Sequence, residues 1–229
     1  MPDREAEKRL AAHHAVRLIK NGMHVGLGSG STAAYAIKFL GERIQTENLQ
    51  ISGVPTSPAS RQLAETSGIP LAADTAGFQL DIAIDGADQA TREGYLIKGG
   101  GGAMLHERIV DASARQFVVI GDSSKLVDVL GGFPLPIEVY QFGWKNAADR
   151  LRLLKCELKL REKDGQPFVS EEGNYIIDCQ FEPNTLHFPH DLGARIRAIP
   201  GVADHGLFLG MAHLIVIACE DKITEIFPK

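Results

Sequence analysis

The sequence predicts an α/β protein with a Rossmann-like, mainly parallel sheet flanked by helices, and with a smaller α+β (ferredoxin-like) lobe inserted before the C-terminal strand. Two observations support this prediction. Apolar runs alternate with helical patterns as far as Ile120, which favours parallel strands joined by right-handed crossovers. The pattern changes at Gly131–Pro136, where glycine and proline mark a boundary, and the apolar run Leu214–Cys219 then returns the chain to the main sheet.

Each predicted element depends on its periodicity and on the residues that end it. In the first helix Ala12, Val16 and Ile19 form an apolar stripe, and Asn21-Gly22 ends it. The predicted helices are 3–21, 33–44, 57–67, 104–114, 146–155 and 189–199. The predicted strands are 23–27, 49–54, 69–73, 80–84, 117–120, 156–160, 174–181 and 214–219, with a turn at 164–165.

Length and charge restrict the class of protein. At 229 residues the chain suits one large domain or two unequal ones, and we expect 1–131 with 206–229 to form the main domain and 132–205 the small lobe. The net charge is −5 and there is no basic tract, so nucleic acid is not an expected partner. No apolar run is long enough to span a membrane, and the charged start MPDREAEKRL lacks a signal-peptide segment. We therefore expect a cytoplasmic protein.

The cysteines and histidines do not indicate a disulfide framework or a metal centre. The three cysteines are widely spaced, and buried free thiols are the better interpretation. His187 and His190 have an H-x-x-H spacing, but Pro189 lies between them. We expect no metal site there.

One stretch, residues 80–108, gathers the side chains that can carry chemistry. Its apolar run ends in Asp85-Gly86-Ala87-Asp88, and Lys98, four glycines and Glu107 follow. Strands of an open α/β sheet end at the edge where ligands bind, and a glycine-rich turn lets the backbone approach a ligand closely. An acid, a base and a cation on adjacent loops predict a proton-transfer site.

Each of these residues also has an ordinary structural interpretation. Asp85 and Asp88 could form a turn and a helix cap, Gly99–Gly102 a plain loop, and Glu107 a solvated helix position. Their occurrence together within one short stretch favours a functional interpretation over these separate ones.

A second glycine-rich segment predicts an anion site. A strand leads into Gly28-Ser29-Gly30-Ser31-Thr32, and a helix follows. Backbone N–H groups at a helix N-terminus, the helix dipole and Ser/Thr hydroxyls favour phosphate, although these hydroxyls could also be ordinary N-caps. No G-K-[ST] follows, and Ser31 stands where a dinucleotide fingerprint has its third glycine, so a sugar phosphate fits better than a nucleotide.

Two further lysines are weaker candidates. Lys125 follows the strand end Gly121–Ser124 and would suit a phosphate or a substrate hydroxyl, with a helix-surface lysine as the alternative. Lys8 lies in the first half of the N-terminal helix, where a solvated charge is the alternative.

In their order and spacing, GLGSGSTA, DGAD, IKGGGGA with a following Glu-Arg, IGDSSK and GGFPLPIEV resemble the motifs of ribose-5-phosphate isomerase of the A type. The resemblance covers essentially the whole chain, and the pairing of DGAD with KGGGGA is specific. It implies interconversion of ribose 5-phosphate and ribulose 5-phosphate in the pentose phosphate pathway, without metal or organic cofactor. It also implies a homodimer or a dimer of dimers.

The resemblance implies a role for each matching residue. Glu107 matches the catalytic base of the family, and Asp85, Asp88 and Lys98 match the two DGAD aspartates and the lysine that follows them. The residues expected to contact substrate or phosphate are Lys8, Ser29, Gly30, Ser31, Thr32, Gly99, Gly100, Gly101 and Lys125.

The sequence departs from the family pattern at three positions. Ser29 stands where threonine is frequent, Gln89 where glutamate is common, and His106 where arginine is expected. Ser29 keeps a hydroxyl. Gln89 and His106 change the charge around the base without touching the proposed reacting groups.

The chemistry of an aldose–ketose isomerisation suits these groups. A proton moves between C2 and C1 through an enediolate, which requires a carboxylate base and a donor beside the developing negative oxygen. We expect Glu107 to carry the proton. Lys98 and the N–H groups of Gly99–Gly101 would stabilise the oxygen, and Asp85 or Asp88 would assist ring opening.

Two other functions remain alternatives. A sugar-phosphate sensor on the same scaffold would keep the Ser/Thr loop, lose the base and add a DNA-binding segment, and the presence of Glu107 counts against it. An acyl-CoA transferase also uses a glutamate, as a nucleophile, but has no use for the arrangement of DGAD and Lys98.

Overall fold

The computed structural model describes residues 2–72, 77–183 and 185–228, and a six-stranded sheet forms its centre. The helices are α1 Arg4–Val16, α2 Gly30–Glu47, α3 Pro58–Thr66, α4 Met104–Ala112, α5 Trp144–Arg152 and α6 Pro189–Arg197. The strands are β1 His24–Leu27, β2 Ser52–Pro55, β3 Leu80–Gly86, β4 Gln89–Ala90, β5 Leu96–Ile97, β6 Ala114–Asp122, β7 Leu135–Val139, β8 Glu157–Leu160, β9 Glu162–Lys163, β10 Gln166–Pro167, β11 Tyr175–Gln180, β12 Val202–His205, β13 Leu207–Phe208, β14 Leu214–Cys219 and β15 Lys222–Ile226. Within the described ranges, no helix has the length and apolar character needed to cross a membrane.

The central sheet confirms the predicted parallel α/β architecture. Its order is β15-β14-β6-β3-β1-β2, and every neighbouring pair is parallel except β14 with β15, which is antiparallel at one edge. The chain returns to this sheet at Leu214–Cys219, as predicted. Parallel sheets are covered on both faces, and β3, β6 and β14 are accordingly buried along most of their length.

Apolar side chains cover both faces of the sheet. On one face, Val16 of α1 and Leu40 of α2 belong to the same buried cluster as Ile82 of β3. On the other face, Phe117 of β6 packs in a cluster with Met104 of α4. Burying each such side chain contributes about 1.5–3 kcal/mol to the free energy of folding. These two clusters therefore hold the helices against the sheet and fix the positions of the strand ends.

The first helix ends earlier than predicted, and the second helix begins earlier than predicted. α1 stops at Val16, and Leu18 and Ile19 continue in tighter turns whose N–H groups bond three residues back. The apolar spacing persists through these turns, which explains why it predicts a longer helix. α2 begins at Gly30 rather than residue 33, so the predicted anion loop includes the first turn of the helix.

Several strands of the structure are not predicted by the sequence pattern. β7 contains Pro136 and follows a Gly/Pro-rich segment, so it is typical of a loop, yet it pairs on both sides in an antiparallel sheet. β15 is largely polar and exposed, and β4, β5 and β13 are too short for any periodicity. The predicted strand 69–73 is reduced to one bridge between Gly53 and Leu71, and Ala73 lies outside the described residues.

The inserted segment forms the predicted α+β arrangement. Its four antiparallel strands have the order β12-β7-β11-β8, and Ile137 and Ile177 of this sheet share a buried cluster with Leu151 of α5 and Ile196 of α6. The predicted turn at Asp164-Gly165 joins β9 to β10, and both residues have positive φ (54° and 74°), as a type I′ hairpin requires.

Gly206 joins the inserted sheet to the rest of the chain. Its N–H donates to the carbonyl of Pro136 (2.7 Å), and its own carbonyl accepts from the N–H of Lys98 (2.9 Å). A Cβ at position 206 would lie 2.3 Å from the carbonyl oxygen of Lys98 and 2.8 Å from Cδ of Pro136. Only glycine fits, because backbone atoms rather than a flexible side chain fill the space.

We predict that Gly206→Ala lowers the free energy of unfolding by about 1–3 kcal/mol, the usual effect of overpacking. Gly77→Ala is the matched control, because a Cβ there meets no atom of the described residues within 4 Å, and it should change stability by less than about 0.5 kcal/mol. Urea unfolding of both variants measures the difference. Equal stability of the two would contradict this steric account.

Candidate active site

A cavity of about 660 Å³ opens at the carboxyl ends of the parallel strands. Segments that follow β1, β2, β3 and β6 all contribute to its lining, as expected for a ligand site in an α/β sheet. The predicted site residues that line it are Ser29, Gly30, Ser31, Thr32, Asp88, Lys98, Gly99, Gly100, Gly101, Glu107 and Lys125.

The N-terminus of α2 is shaped to receive an anion. No side chain caps this helix in the described structure, and its first turn contains no acidic residue. The first backbone N–H groups and the helix dipole are therefore available to a ligand. Gly30 has a φ of +89°, which a non-glycine residue rarely adopts. Ser31 and Thr32 line the cavity beside these N–H groups, which suits a phosphate.

Asp85 fixes the path of the loop that leads into α2. Its Oδ1 accepts hydrogen bonds from the N–H groups of Ser29 (2.9 Å) and Gly86 (2.7 Å). A Cβ on Gly28 would lie 2.2 Å from this same oxygen. The loop can pass this close to the carboxylate only because residue 28 is a glycine.

Two hydroxyls at the end of β2 also hold this loop. The Oγ of Ser29 lies 2.7 Å from the hydroxyls of both Thr56 and Ser57, and Thr56 also donates to the Leu27 carbonyl. The sequence alone predicts no role in the site for Thr56 or Ser57. Their position directly after a predicted strand was the signal that could have identified them.

Lys98 is a buried cation beside the cavity. Its Nζ donates to the Gly86 carbonyl (2.6 Å) and forms an ion pair with Oδ2 of the fully buried Asp85 at 2.9 Å. Burial alone lowers the pKa of a lysine, but three nearby carboxylates outweigh it, and the pKa of Lys98 is raised. These carboxylates belong to Asp85, Glu107 and Asp111. Lys98 therefore remains protonated and supplies a fixed positive charge.

Glu107 lies in the first turn of α4 and its side chain is 8% exposed. Its Oε2 is 3.7 Å from the Nζ of Lys98 and has no hydrogen-bond partner among the described residues. Burial raises the pKa of Glu107 to about 8; Lys98 opposes this rise, and Asp85 and Asp88 add to it. A carboxylate that lines a cavity and has a raised pKa is suited to act as a general base.

Asp88 is held against the glycine run. Its Oδ2 accepts a hydrogen bond from the N–H of Gly100 (2.8 Å), and a Cβ at position 100 would lie 2.7 Å from its Oδ1. Burial raises the pKa of Asp88, although the Gly100 N–H and the positive charges of Lys125, Lys98 and Arg161 act in the opposite direction. Asp88 is thus a second carboxyl that can exchange a proton inside the cavity.

The inserted lobe holds the other side of the glycine run. Arg161 donates from one nitrogen to the carbonyls of Gly99 (2.9 Å) and Gly100 (3.2 Å), and it forms a two-point ion pair with Asp178 on β11. The run is therefore fixed from both sides, because Asp88 binds an N–H and Arg161 binds the carbonyls. No local motif in the sequence marks Arg161, since its partners lie far away along the chain.

An aromatic side chain of the lobe closes the same wall of the cavity. Phe168 lines the cavity, and a Cβ on Gly102 would lie 2.6 Å from its ring. Gly102 also has a φ of +86°, so two independent constraints require glycine there. The sequence predicts a glycine-rich turn that includes Gly102, and no pattern in it identifies Phe168.

Two predicted residues do not line the cavity. Asp85 is buried beneath the loop, where it bonds backbone N–H groups and Lys98. Lys8 lies on α1 and pairs with Glu5 at 2.6 Å, and its role stays a prediction. Lys125, in a single 3-10 turn after β6, does line the cavity, which favours the substrate-contact interpretation.

The departures from the family pattern lie outside the reacting groups. The side-chain amide of Gln89 bonds the N–H and the carbonyl of Gly131, and so it replaces a charge with two hydrogen bonds to backbone. His106 lies between Glu171 (3.1 Å) and Glu172 (2.5 Å) and does not line the cavity. Among the described residues, neither side chain forms a hydrogen bond or an ion pair with the side chain of Lys98 or of Glu107.

The arrangement contains an anion-binding helix end, a buried cation and a carboxyl of raised pKa around one cavity. Across residues 2–72, 77–183 and 185–228 there is no group of three or more histidine, cysteine, aspartate or glutamate side chains placed to hold a metal ion. The charged side chains instead surround Lys98. Such a site can bind a phosphorylated ligand and move a proton on it.

Comparisons with known proteins place this arrangement in one family. The sequence model of the family ribose 5-phosphate isomerase A (phosphoriboisomerase A) matches residues 52–222. Ribose-5-phosphate isomerase A of Bacillus mycoides (strain KBAB4) is 44% identical over 95% of this chain and 98% of its own length. The enzyme of the same name from Gluconobacter oxydans (strain 621H) is 47% identical over 99% of this chain and 98% of its own.

A solved structure agrees with these relatives. A D-ribose-5-phosphate isomerase in complex with phospho-erythronic acid superimposes with a TM-score of 0.93 at 35% identity, covering 98% of this chain and 99% of that one. The similarity extends over the main sheet and the inserted lobe together. The chain therefore belongs to the ribose 5-phosphate isomerase A family.

Proposed function

We propose that this chain interconverts D-ribose 5-phosphate and D-ribulose 5-phosphate, the aldose–ketose isomerisation of the pentose phosphate pathway. The single observation that carries the mechanism is Glu107, a carboxyl of raised pKa that lines the cavity 3.7 Å from the ammonium of Lys98. Family membership supplies the substrate, and this pair of side chains supplies the chemistry.

The phosphate is bound at the N-terminus of α2. The uncapped N–H groups, the hydroxyls of Ser31 and Thr32 and the nearby ammonium of Lys125 all favour a doubly charged group. Binding energy from this remote end of the sugar can hold C1 and C2 in place for proton transfer. The ligand of the similar structure, phospho-erythronic acid, likewise carries a phosphate group.

Proton transfer requires the ionised form of Glu107. Its carboxylate takes the proton from C2 of the open-chain aldose; the C–H electrons form the C1–C2 double bond, and the carbonyl electrons move onto the C1 oxygen. A proton then leaves the C2 hydroxyl and one reaches the C1 oxygen, a transfer that falls to Asp88; the electrons on O2 form the C2 carbonyl, and the C1–C2 double bond takes back the proton from Glu107 at C1. Lys98 and backbone N–H groups of the glycine run stabilise the negative oxygen between these two steps.

The two aspartates have different tasks in this proposal. Asp85 is buried and its oxygens serve Ser29, Gly86 and Lys98, so it positions the loop and the lysine. Asp88 lines the cavity and has a raised pKa, so we assign it the transfer of hydroxyl protons during ring opening. This division replaces the open choice that the sequence leaves between them.

The alternative functions lose support on specific grounds. A non-catalytic sensor does not require a carboxyl of raised pKa inside the sugar-phosphate cavity. An acyl-CoA transferase needs a glutamate free to form a covalent bond, whereas Glu107 sits beside a buried lysine in a cavity whose walls include the inserted lobe.

We also propose the organisation and setting that the resemblance implies. Residues 1–131 with 206–229 form the catalytic domain and 132–205 the small lobe; in support, all strands of the six-stranded sheet lie in the first set and all strands of the four-stranded sheet in the second. The chain acts in the cytoplasm as a homodimer or dimer of dimers, with a small sugar phosphate and no nucleic acid or membrane as its partner. Light scattering of the purified protein tests the assembly.

We predict that Glu107→Gln lowers kcat for ribose 5-phosphate by about 10²–10⁴-fold, the contribution of a general base, with little change in KM. Glu172→Gln is the matched control, because Glu172 pairs with His106 and does not line the cavity, and it should change kcat by less than about threefold. Conversion should be followed with EDTA present. A fully active Glu107→Gln enzyme would overturn the assignment of the base.

We predict that kcat/KM rises with pH as Glu107 ionises, with an apparent pKa of about 8. Only the ionised carboxylate can accept the C2 proton, so activity should fall about tenfold per pH unit well below that value. A pH profile of kcat/KM measures this fall on the acid side. A glutamate of ordinary pKa is already ionised from about pH 6 to 9. A profile of kcat/KM that stays flat over this range would therefore show that burial does not raise the pKa of Glu107.

We predict that unphosphorylated ribose has a kcat/KM at least about a hundredfold below that of ribose 5-phosphate. Two charge-assisted hydrogen bonds contribute about 3 kcal/mol or more, which corresponds to this factor. Thr32→Val should lower the preference for ribose 5-phosphate over ribose, because it should raise KM for ribose 5-phosphate and leave KM for ribose unchanged. Initial rates on both sugars measure this effect. Comparable kcat/KM values for the two sugars would remove the phosphate role of this loop.

A further inference from the structure

Four oxygens surround the ammonium group of Lys98, which has only three N–H bonds. The Nζ lies 2.6 Å from the Gly86 carbonyl and 2.9 Å from Asp85 Oδ2. It lies 3.7 Å from both Glu107 Oε2 and Asp111 Oδ2. The Gly86 carbonyl accepts one N–H bond, and the ion pair with Asp85 engages a second, even though Asp85 Oδ2 accepts no hydrogen bond of regular geometry. One N–H bond therefore remains for the two distant carboxyls.

Asp111 is the member of this group that neither the mechanism nor the family resemblance uses. It lies one helical turn after Glu107 on α4, so the two side chains share a face. Asp111 is 2% exposed, and neither of its oxygens has a hydrogen-bond partner among the described residues. It does not line the cavity, whereas Glu107 does. Substrate therefore meets Glu107, and Asp111 lies behind it.

The charges around Lys98 do not balance if every carboxyl is ionised. One cation then faces three carboxylates whose side chains are 0%, 8% and 1% exposed. An ionised carboxylate with both oxygens unsatisfied is among the most unfavourable groups to bury, whereas its protonated form is neutral. The cluster must therefore hold at least one additional proton. Asp111 is the favoured place for it, because neither of its oxygens accepts a hydrogen bond among the described residues, whereas Asp85 Oδ1 accepts two from backbone N–H groups and Glu107 lines the cavity.

We propose that Asp111 is a positioning residue that keeps this proton in the working enzyme, so that Glu107 is the ionised base and the third N–H of Lys98 is free for the substrate oxygen. This inference deepens the proposed function and rests on it. The pKa of Asp111 supports it independently of the geometry: burial raises that pKa well above the usual value, Lys98 acts in the opposite direction, and Asp85 and Glu107 add to the rise.

The charged groups around Asp111 come from β3, from the segment after β5 and from α4 itself. Asp85 lies on β3, Lys98 follows β5, and Glu107 and Arg108 lie on α4 itself. Arg108 is bound to Asp204 and to two carbonyl groups, so its charge is already engaged. From β6, the aromatic ring of Phe117 lies near the ammonium of Lys98 and adds no titratable group.

The proton on Asp111 matters because it decides where Lys98 directs its last N–H. An ionised Asp111 would attract that N–H away from the cavity and would also oppose ionisation of Glu107. A neutral Asp111 competes weakly, so the N–H can serve the oxygen that becomes negative on the substrate. Activity should consequently fall at the alkaline pH where Asp111 loses its proton.

Infrared difference spectroscopy tests the protonation state directly. The spectrum of wild type minus Asp111→Asn at pH 7 should contain the C=O stretch of one protonated carboxyl. Asp204→Asn is the control, since Asp204 is bound by two arginines and should lose only carboxylate bands. Loss of carboxylate bands alone in Asp111→Asn would overturn the proposal. Asp111→Ala provides the same comparison if the asparagine variant does not fold.

The pH profile tests the positioning role. Asp111→Asn should keep kcat/KM at pH 7 within about threefold of wild type, because asparagine imitates the neutral carboxyl. Its alkaline limb should lie at higher pH than in the wild type, or be absent, because asparagine cannot ionise. Superimposed profiles, or a folded variant that loses more than about a hundredfold in kcat/KM, would each overturn the proposal.

The same experiments separate this proposal from the proposed function. A wild-type protein that does not isomerise ribose 5-phosphate would refute the function whatever the infrared spectra contain. An active wild type whose Asp111 is ionised would keep the function and refute only the role of Asp111.

Discussion

The burial of one positive charge is the constraint on which the site depends. Lys98 is 2% exposed and is held by the Gly86 carbonyl and by one carboxyl group of β3 and two of α4. Removing one partner of such a group leaves an uncompensated buried charge, which destabilises a protein by about 3–5 kcal/mol. The same ion pairs that keep the lysine charged therefore join β3, the glycine run and α4. Catalytic geometry and the stability of this region have a common origin.

Much of the site could be predicted because parallel strands end at one edge of a sheet. Side chains that follow separate strands, such as Asp88 and Lys125, are distant in sequence but meet at that edge. The uncapped start of α2 could likewise be anticipated from glycines and hydroxyls after a strand. The order and spacing of the motifs are themselves specific enough to resemble those of one family.

The parts that escaped prediction depend on long-range contacts or on local signals that conflict with the final structure. Pro136 and the glycines before it are typical of a loop, yet β7 lies between two strands because neighbouring backbone groups pair with it. Arg161 has no pattern around it that indicates a contact with Gly99. The pKa of Glu107 depends on burial and on charges from other segments, which composition and spacing do not specify.

The contact between Phe168 and Gly102 has a consequence for how this chain can vary over evolutionary time. Any side chain at position 102 would occupy the space of the aromatic ring, and a smaller residue at 168 would open the wall of the cavity. Substitutions in the two segments are therefore coupled, although one segment follows β5 and the other follows β10. Exchange of the inserted lobe between distant homologues should give a folded protein only when the glycine run is transferred with it. Residues on the two sides of this contact are therefore expected to change together during evolution.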